Sequence, residues 1–439
     1  MRSTLVKNAS ALTKNMSSEF RELWVWHWLR NAAEPVLCGR FRWATSTGGI
    51  HVGTFVYART YLDRTGALPL DPVLLPLRES EFRTTDLDGV FGVFRDAAPD
   101  SWGKRVIDRL HGKQDECGYL LLAQGERTGA IDFSGARDVP PQKARALTSV
   151  DQLALAAALV RNFESGEEIP PELVGLLAFG TSNGGARPKF PIHLDGKSWL
   201  AKFPSKDDPA QCPPMPLQEC AALDLADRCG IDVPEHRLVD AKGTPVLLVE
   251  RFDRKGTTRL PYGSARTVLW SEPETQRYSF FGSYNNFSHQ MARWIGSPEE
   301  DRRSLYQRIV FNAAIGNYDD HDLNHGLVGR ADNGDYRLAP LFDPLPAVIM
   351  KSPMLSLAFG DDGCKISIDN LLSNPQDFGI EVADAVETLR NITGTIAEHW
   401  RDPLRDLGAT EEQVEAVTMR FRFAESVHYD ASAQVRREP

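Results

Sequence analysis

The stretch Gly316 to Leu327, GNYDDHDLNHGL, places three aspartates, two histidines and two asparagines within twelve residues. A metal-ligand cluster, a solvated loop and a phosphotransfer catalytic loop can all look like this, so the neighbouring segments decide. Upstream, RRSLYQRIVFNAAIG (Arg302–Gly316) spaces Leu305, Ile309 and Ala313 by four, with Tyr306, Val310 and Ala314 beside them. That spacing predicts a largely buried helix ending near Gly316. Downstream, GLV and YRLAPLFD read as a strand pair that brings Asp343 back towards the loop. Asp319, Asn324 five residues later, and Asp343 can then divide three tasks: orienting a hydroxyl, binding Mg²⁺, and bridging Mg²⁺ to phosphates. Kinase catalytic loops use the same Asp-x4-Asn spacing.

Further upstream the chain supplies matching parts. KFPIHL and SWLAKFP flank Asp195-Gly196-Lys197, two alternating apolar runs around an Asp-Gly turn, which predicts a hairpin carrying Lys202. LQECAALDLADRCG then predicts a helix carrying Glu219, with Leu217, Ala221 and Leu225 on one stripe and Gly230 as its stop. Two strand-like runs, HRLVD and PVLLVERFD, follow. Before the hairpin lies FGTSNGGARPK (Phe179–Lys189), where Gly184 and Gly185 let backbone N–H groups approach phosphate oxygens. A strand lysine can neutralise phosphates and a helix glutamate can hold it by charge pairing. Each feature alone has a blander reading: a plain turn, a snorkelling lysine, a solvated glutamate. Their order, that of a kinase small lobe, carries the argument.

The 439 residues, 42% of them hydrophobic, suffice for two or three domains or one large two-lobed body. Fifty basic residues against 60 acidic ones leave a net charge of −10, which argues against whole-surface attraction to nucleic acid or acidic membranes. Six scattered cysteines without CxxC pairing signal neither a zinc site nor a disulfide framework, and fit a reducing cytoplasm. The opening MRSTLVKNASALTKNMSSEF has no apolar core, and the longest apolar run, Leu153 to Val160, is far below the roughly 20 residues of a membrane span. The expectation is a cytoplasmic protein with neither export nor anchor. From Leu23 to about Phe133, short β-like runs (LWVWHWL, VLCGRFRW, HVGTFVYA) suggest a strand-rich module, bounded by the polar SGARDVPPQKARALTS. Trp24, Trp26 and Trp28 share one strand face and read as core or partner-contact residues.

At these residues the chain resembles the HipA family of serine/threonine kinase toxins. The matching pieces are FGVFRDAAPDSWGKRVIDR (Phe91–Arg109), GERTGAIDF (Gly125–Phe133), TSNGGARPK (Thr181–Lys189), LAKF with Lys202, VERFDR (Val249–Arg254), GNYDDHDLNHG and LAPLFD. The resemblance implies an α+β, bilobed protein-kinase-like fold with an extra N-terminal strand-rich module on the small lobe and a helical C-terminal lobe. The corresponding divisions are a tail (1–20), the module (21–140), a small lobe (150–255) and a large lobe (256–439). It further implies ATP and Mg²⁺ as cofactors, with Asp319 as catalytic base, Asn324 and Asp343 as Mg²⁺ ligands, and Lys202 as the ATP lysine paired with Glu219. Ser182, Asn183, Gly184, Gly185 and Ala186 would form the phosphate-binding loop, and Glu250 and Phe252 the hinge near adenine. Ser182 would be autophosphorylated, silencing the kinase. His321 is kept with the catalytic loop, as loop support, while Asp320 and Asp322 are expected to face solvent or stabilise the loop. Implied partners are a protein substrate, with an aminoacyl-tRNA synthetase such as glutamyl-tRNA synthetase expected, and a HipB-like helix-turn-helix antitoxin through which alone DNA would be met.

The chain departs from ordinary protein kinases. It has no GxGxxG, no His-Arg-Asp before the loop and no Asp-Phe-Gly, since Pro344 follows Asp343. Other readings stay open: a metal-dependent phosphohydrolase built on His321, His325 and the aspartates, an inactive antitoxin-binding module, or a small-molecule phosphotransferase.

Overall fold

The computed structural model describes residues 20–30, 32, 34–123, 125–142, 144–181, 187–270, 282–330, 335–347 and 353–429. The N-terminal part is an antiparallel sheet of β1 (Arg21–His27), β2 (Val36–Thr45), β3 (His51–Tyr57), β4 (Glu81–Thr84) and β5 (Ile131–Ser134), in the order β4-β3-β2-β1-β5. Alternation along β1 sends Leu23 and Val25 into the core beside Phe41, Phe55 and Phe94. The tryptophans take the other face: Trp26 is buried and donates to Ser134 Oγ at 2.8 Å, while the Arg259 guanidinium lies over Trp28 at 4.5 Å.

The connection from β4 to β5 includes helices α1 (Gly92–Asp96), α2 (Ser101–His111) and α3 (Glu116–Leu122). Asp100 starts α2 by accepting from Gly103 N at 2.7 Å. Trp102 and Val106 of α2 sit in the small-lobe core, with Leu153, Val160 and Phe163 of α4 (Val150–Glu164) and Phe190, Trp199 and Phe203 of the following sheet.

That sheet orders β6 (Lys189–Leu194), β7 (Lys197–Lys202), β9 (Pro245–Glu250) and β8 (His236–Asp240) as β6-β7-β9-β8. Asp195 and Gly196 have φ of 54° and 74°, the left-handed pair that a two-residue hairpin turn needs to match strand twist. Helix α5 (Met215–Arg228) lies between the lobes. Its Leu217, Ala221 and Leu225 join the large-lobe core, and its Cys220 and Leu223 pack on Leu247 and Val249 of β9.

After the short pair β10 (Arg254–Lys255) and β11 (Thr258–Arg259) come β12 (Tyr262–Ser264), α6 (Ala265–Leu269), α7 (Tyr284–Met291) and α8 (Glu299–Ile315). Helix α8 is buried along most of its length, as its spacing predicts, and ends on Gly316 at φ 67°. β13 (Gly326–Gly329) pairs with β12 on one side and β14 (Tyr336–Leu338) on the other, and α9 (Val382–His399) and α10 (Arg422–Tyr429) pack against α8.

The sequence places the N-terminal module on the small lobe; in the structure it holds both lobes. One continuous hydrophobic core runs from Leu23 and Phe55 through Val268 to Ile309 and Leu389. Asp96, at the end of α1, accepts from Ser264 N at 2.8 Å, Ser264 Oγ at 2.6 Å and Thr267 Oγ1 at 2.7 Å, and so holds Ser264, which itself caps α6 by accepting from Thr267 N. A buried charge network ties the module to the strand leaving the small lobe. Arg251 donates to Asp253 and to the Arg127 carbonyl at 2.8 Å, and Asp253 accepts from Gly129 N at 2.7 Å. Thus GERTGAIDF and VERFDR, far apart in the chain, are two sides of one junction. Charges this buried persist because each finds a partner.

Candidate active site

Lys202 closes β7, Glu219 comes from α5, and Asp343 comes from the segment after β14. The Lys202 ammonium donates to both Glu219 Oε1 and Asp343 Oδ1. The lysine and glutamate side chains are only 11% exposed and the aspartate 33%. Burial by itself would lower the lysine pKa and raise those of the carboxyls. For Lys202 the two carboxylates outweigh burial and hold it firmly charged. Lys202 and the neighbouring Lys189 hold Asp343 well below the usual carboxylate range despite burial, whereas burial and the charge of Asp343 push Glu219 up. Asp343 also sits at φ 56°, in the left-handed region, a conformation that costs a non-glycine residue about 1 kcal/mol or more.

The acidic loop is built around Asp320, which is 1% exposed. It accepts from the Tyr284 hydroxyl, from Asn312 Nδ2 at 2.7 Å and from His325 Nε2 at 2.9 Å, and Asn312 in turn accepts from Asn317 at 3.1 Å. Of the two roles expected for Asp320, solvent-facing or loop-stabilising, the structure selects the second. Asp322 takes a two-pronged hydrogen bond from Arg266 on α6, at 2.7 and 3.0 Å. Since Asp96 holds the first turn of that helix through Ser264 and Thr267, the loop is linked through α6 to the N-terminal module. With its core and flank so held, the loop leaves Asp319 exposed to solvent. Asn324 is buried, and its Nδ2 donates to the Asp319 carbonyl at 3.2 Å, which leaves its oxygen as the amide's ligand atom. His321 accepts from Leu323 N at 3.2 Å through Nδ1, a hydrogen bond within the loop.

The structure therefore brings Lys202, Glu219 and Asp343 into direct contact and sets Asp319, His321 and Asn324 on one braced loop. Asp343 and Asn324 offer oxygen ligands, the donor set a hard cation such as Mg²⁺ takes, so these residues fit the metal. Glu250 ends β9 and accepts from Lys197 at 3.1 Å. Phe252 packs on Phe342, beside Asp343, at 5.4 Å between ring centroids, and on Tyr262 at 5.9 Å. Ser182, Asn183, Gly184, Gly185 and Ala186 lie outside the described residues. Their flank is described: Thr181 is buried, and its carbonyl lies against Gly103 of α2.

Two contributors escape a reading of the loop alone. Lys189, 3% exposed, stands directly across the hairpin from Lys202 and adds positive potential at Asp343 and Glu219. Hairpin register could have found it, because it lies as far before the turn as Lys202 lies after it. The Tyr284–Asn312–Asp320–His325 network has no such local signal. It also removes His325 from the ligands of a phosphohydrolase centre, since the ring is fully buried against Asp320.

Residues 36–134 match the model of the HipA N-terminal domain, and residues 181–400 that of the HipA-like C-terminal domain. The chain belongs to the HipA family. Y4mE of Sinorhizobium fredii, a candidate kinase, is 26% identical over 70% of this HipA-family chain and 75% of its own length. Y4dM of the same organism, also a candidate kinase, is 28% identical over 56% of this chain and 59% of its own. Among solved structures, a chain from the complex of HipA, HipB and operator DNA of Shewanella oneidensis MR-1 aligns with a TM-score of 0.66. That likeness covers 95% of this chain and 100% of the other at 15% identity, and it shows the shared bilobed fold. No helix among the described residues is long and apolar enough to cross a membrane.

Proposed function

We propose that this HipA-family chain is a cytoplasmic kinase that transfers the γ-phosphoryl group of ATP, with Mg²⁺, to a serine or threonine hydroxyl of a protein. The observation that carries the reading is the Lys202 ammonium gripped by Glu219 and Asp343 across the two lobes, with His321 of the acidic loop near enough to act on the Asp343 carboxylate. Lys202 and Lys189 supply positive charge for phosphate oxygens. Asn324 and Asp343 hold the metal. Asp319, exposed where a substrate hydroxyl arrives, orients that hydroxyl and accepts its proton. Phosphoryl transfer needs little more from a protein than such positioning and charge stabilisation.

Family membership supports the rest of the reading. The chain acts as a growth-arresting toxin whose substrate is a protein that must itself grip ATP, an aminoacyl-tRNA synthetase in the first instance. Phosphorylation of Ser182 silences it, because a dianion in the phosphate-binding loop repels ATP. A helix-turn-helix antitoxin supplies the DNA contacts for which an acidic chain is unsuited. We also divide the chain at 20, 140 and 255 into tail, module, small lobe and large lobe.

The test is labelling with γ-labelled ATP and Mg²⁺ in cell lysate. Wild type should label a protein, and Asp319→Ala should abolish labelling while leaving the fold intact. Labelling that persists in Asp319→Ala would remove Asp319 from the chemistry; a labelled small molecule and no labelled protein would favour the phosphotransferase reading.

A further inference from the structure

One residue beyond Glu219 on α5 begins a second cluster, apart from the cleft chemistry. Cys220 and Asp224 are four residues apart and stack on one helix face, and His236 opens β8 opposite them. One ligand atom from each lies within 4.8 Å of the other two.

The hydrogen bonds around this cluster decide what it can hold. His236 Nδ1 lies 2.8 Å from the Pro234 carbonyl, which can only accept, so Nδ1 must carry a proton. Its Nε2 lies 3.0 Å from Asp224 Oδ1, another pure acceptor. A neutral imidazole cannot satisfy both, since its single proton is already used at Nδ1. Either the ring is an imidazolium paired with Asp224, or a cation stands where the second proton would be. The sulfur distinguishes these. Cys220 is 2% exposed, and a backbone hydrogen bond from Leu238 reaches it. An N–H directed at sulfur, and a ring N–H directed at a carbonyl, are the outer contacts that orient thiolate and imidazole ligands on a metal. Of the two arrangements, only a metal draws on the sulfur as a ligand; beside an imidazolium–carboxylate pair the thiol would serve only as packing against Leu247 and Val249.

We propose that Cys220, Asp224 and His236 bind a divalent transition metal of intermediate softness, zinc fitting best, which staples α5 to the start of β8. Sulfur, imidazole nitrogen and carboxylate oxygen are all zinc ligands. The Asp224 side chain is 41% exposed, so water can complete a tetrahedral set. On binding to the metal-free protein, the thiol S–H bond and the imidazolium Nε2–H bond break, both protons go to solvent, and the sulfur and nitrogen lone pairs form bonds to the metal, with no change of oxidation state. Because two ligands lie one turn apart on the helix that bears Glu219, the staple fixes that helix against the sheet from which Lys202 projects. The site stands independently of the kinase reading.

The test uses full-length chain freed of metal by a chelator and titrated with Co²⁺, then with Zn²⁺ as competitor. A thiolate-to-cobalt charge-transfer band should appear with one equivalent and be displaced by Zn²⁺; a divalent ion held by cleft oxygens gives no such band. Cys220→Ser should remove the band. Asp224→Asn and His236→Gln should bind at least about tenfold more weakly, the loss that removing an outer-shell contact alone produces. Asp224 lies near the surface, so Asp224→Asn carries the test if Cys220→Ser fails to fold. No band from the wild type would leave His236 as an imidazolium paired with Asp224 and overturn the proposal. So would a band of unchanged affinity in Asp224→Asn or one that survives in Cys220→Ser.

Discussion

Adjacent residues on the acidic loop have opposite structural duties, and mutation separates them. Asp319 is exposed, so Asp319→Ala should change stability by no more than about 0.5 kcal/mol while abolishing transfer. Asp320 is the acceptor for three buried donors, on Tyr284, Asn312 and His325. Asp320→Ala strands them, at about 1–3 kcal/mol for each group left without a partner. We expect it to lose both stability and activity, read by chemical denaturation alongside the labelling assay. An Asp320→Ala protein that unfolded at the wild-type denaturant concentration would show that the network does not brace the loop.

Helix α2 belongs to the N-terminal module, yet its first turn abuts Thr181, the residue that precedes the proposed phosphate-binding loop. A Cβ at Gly103 would stand 2.5 Å from the Thr181 carbonyl oxygen and 2.9 Å from Pro99 Cβ. Glycine to alanine in a helix ordinarily gains up to about 1 kcal/mol. Here the close approach reverses the sign, because the backbone at Thr181 must move. Gly103→Ala should therefore lower the melting temperature and weaken ATP binding, measured by nucleotide titration of the purified protein. A stabilised variant with unchanged ATP affinity would mean that the contact yields without consequence.

Across the whole molecule, the module's hold on the large lobe passes through Asp96, and this contact carries a pH signature. Burial pushes the Asp96 carboxyl up to about 6, against the hydrogen bonds from Ser264 and Thr267 that favour its charged form. The folded state thus binds this proton more tightly than the unfolded chain does. Between about pH 4 and 6 the native state holds more protons, so the contribution of Asp96 to stability falls as pH rises, by up to roughly 1.4 kcal/mol per unit. Asp71 is pushed up similarly, so the informative quantity is the difference between wild type and Asp96→Asn. That difference should change steadily through the window in denaturation curves taken at several pH values. Parallel profiles would mean that the donors from α6 cancel burial.

Local features were legible in the chain because they are decided by residues close in sequence. The Asp195–Gly196 turn follows from two residues that tolerate left-handed backbone, and register then places Lys202 at the end of its strand. The buried helix before the acidic loop follows from apolar spacing and a terminal glycine. What tertiary structure alone decided is which polar residues leave water. Asp320 reads equally as a solvent-facing or a loop-stabilising residue until Tyr284, 36 positions away, and Asn312 meet it in the interior. The module's grip on the large lobe depends on Asp96 meeting Ser264, 168 positions later. Likewise, six cysteines without paired spacing signalled no zinc site, yet the turn between α5 and β8 brings a thiol, a carboxylate and an imidazole together. Periodicity and turn chemistry are short-range, whereas the environment of a charge is set by whatever the fold packs against it.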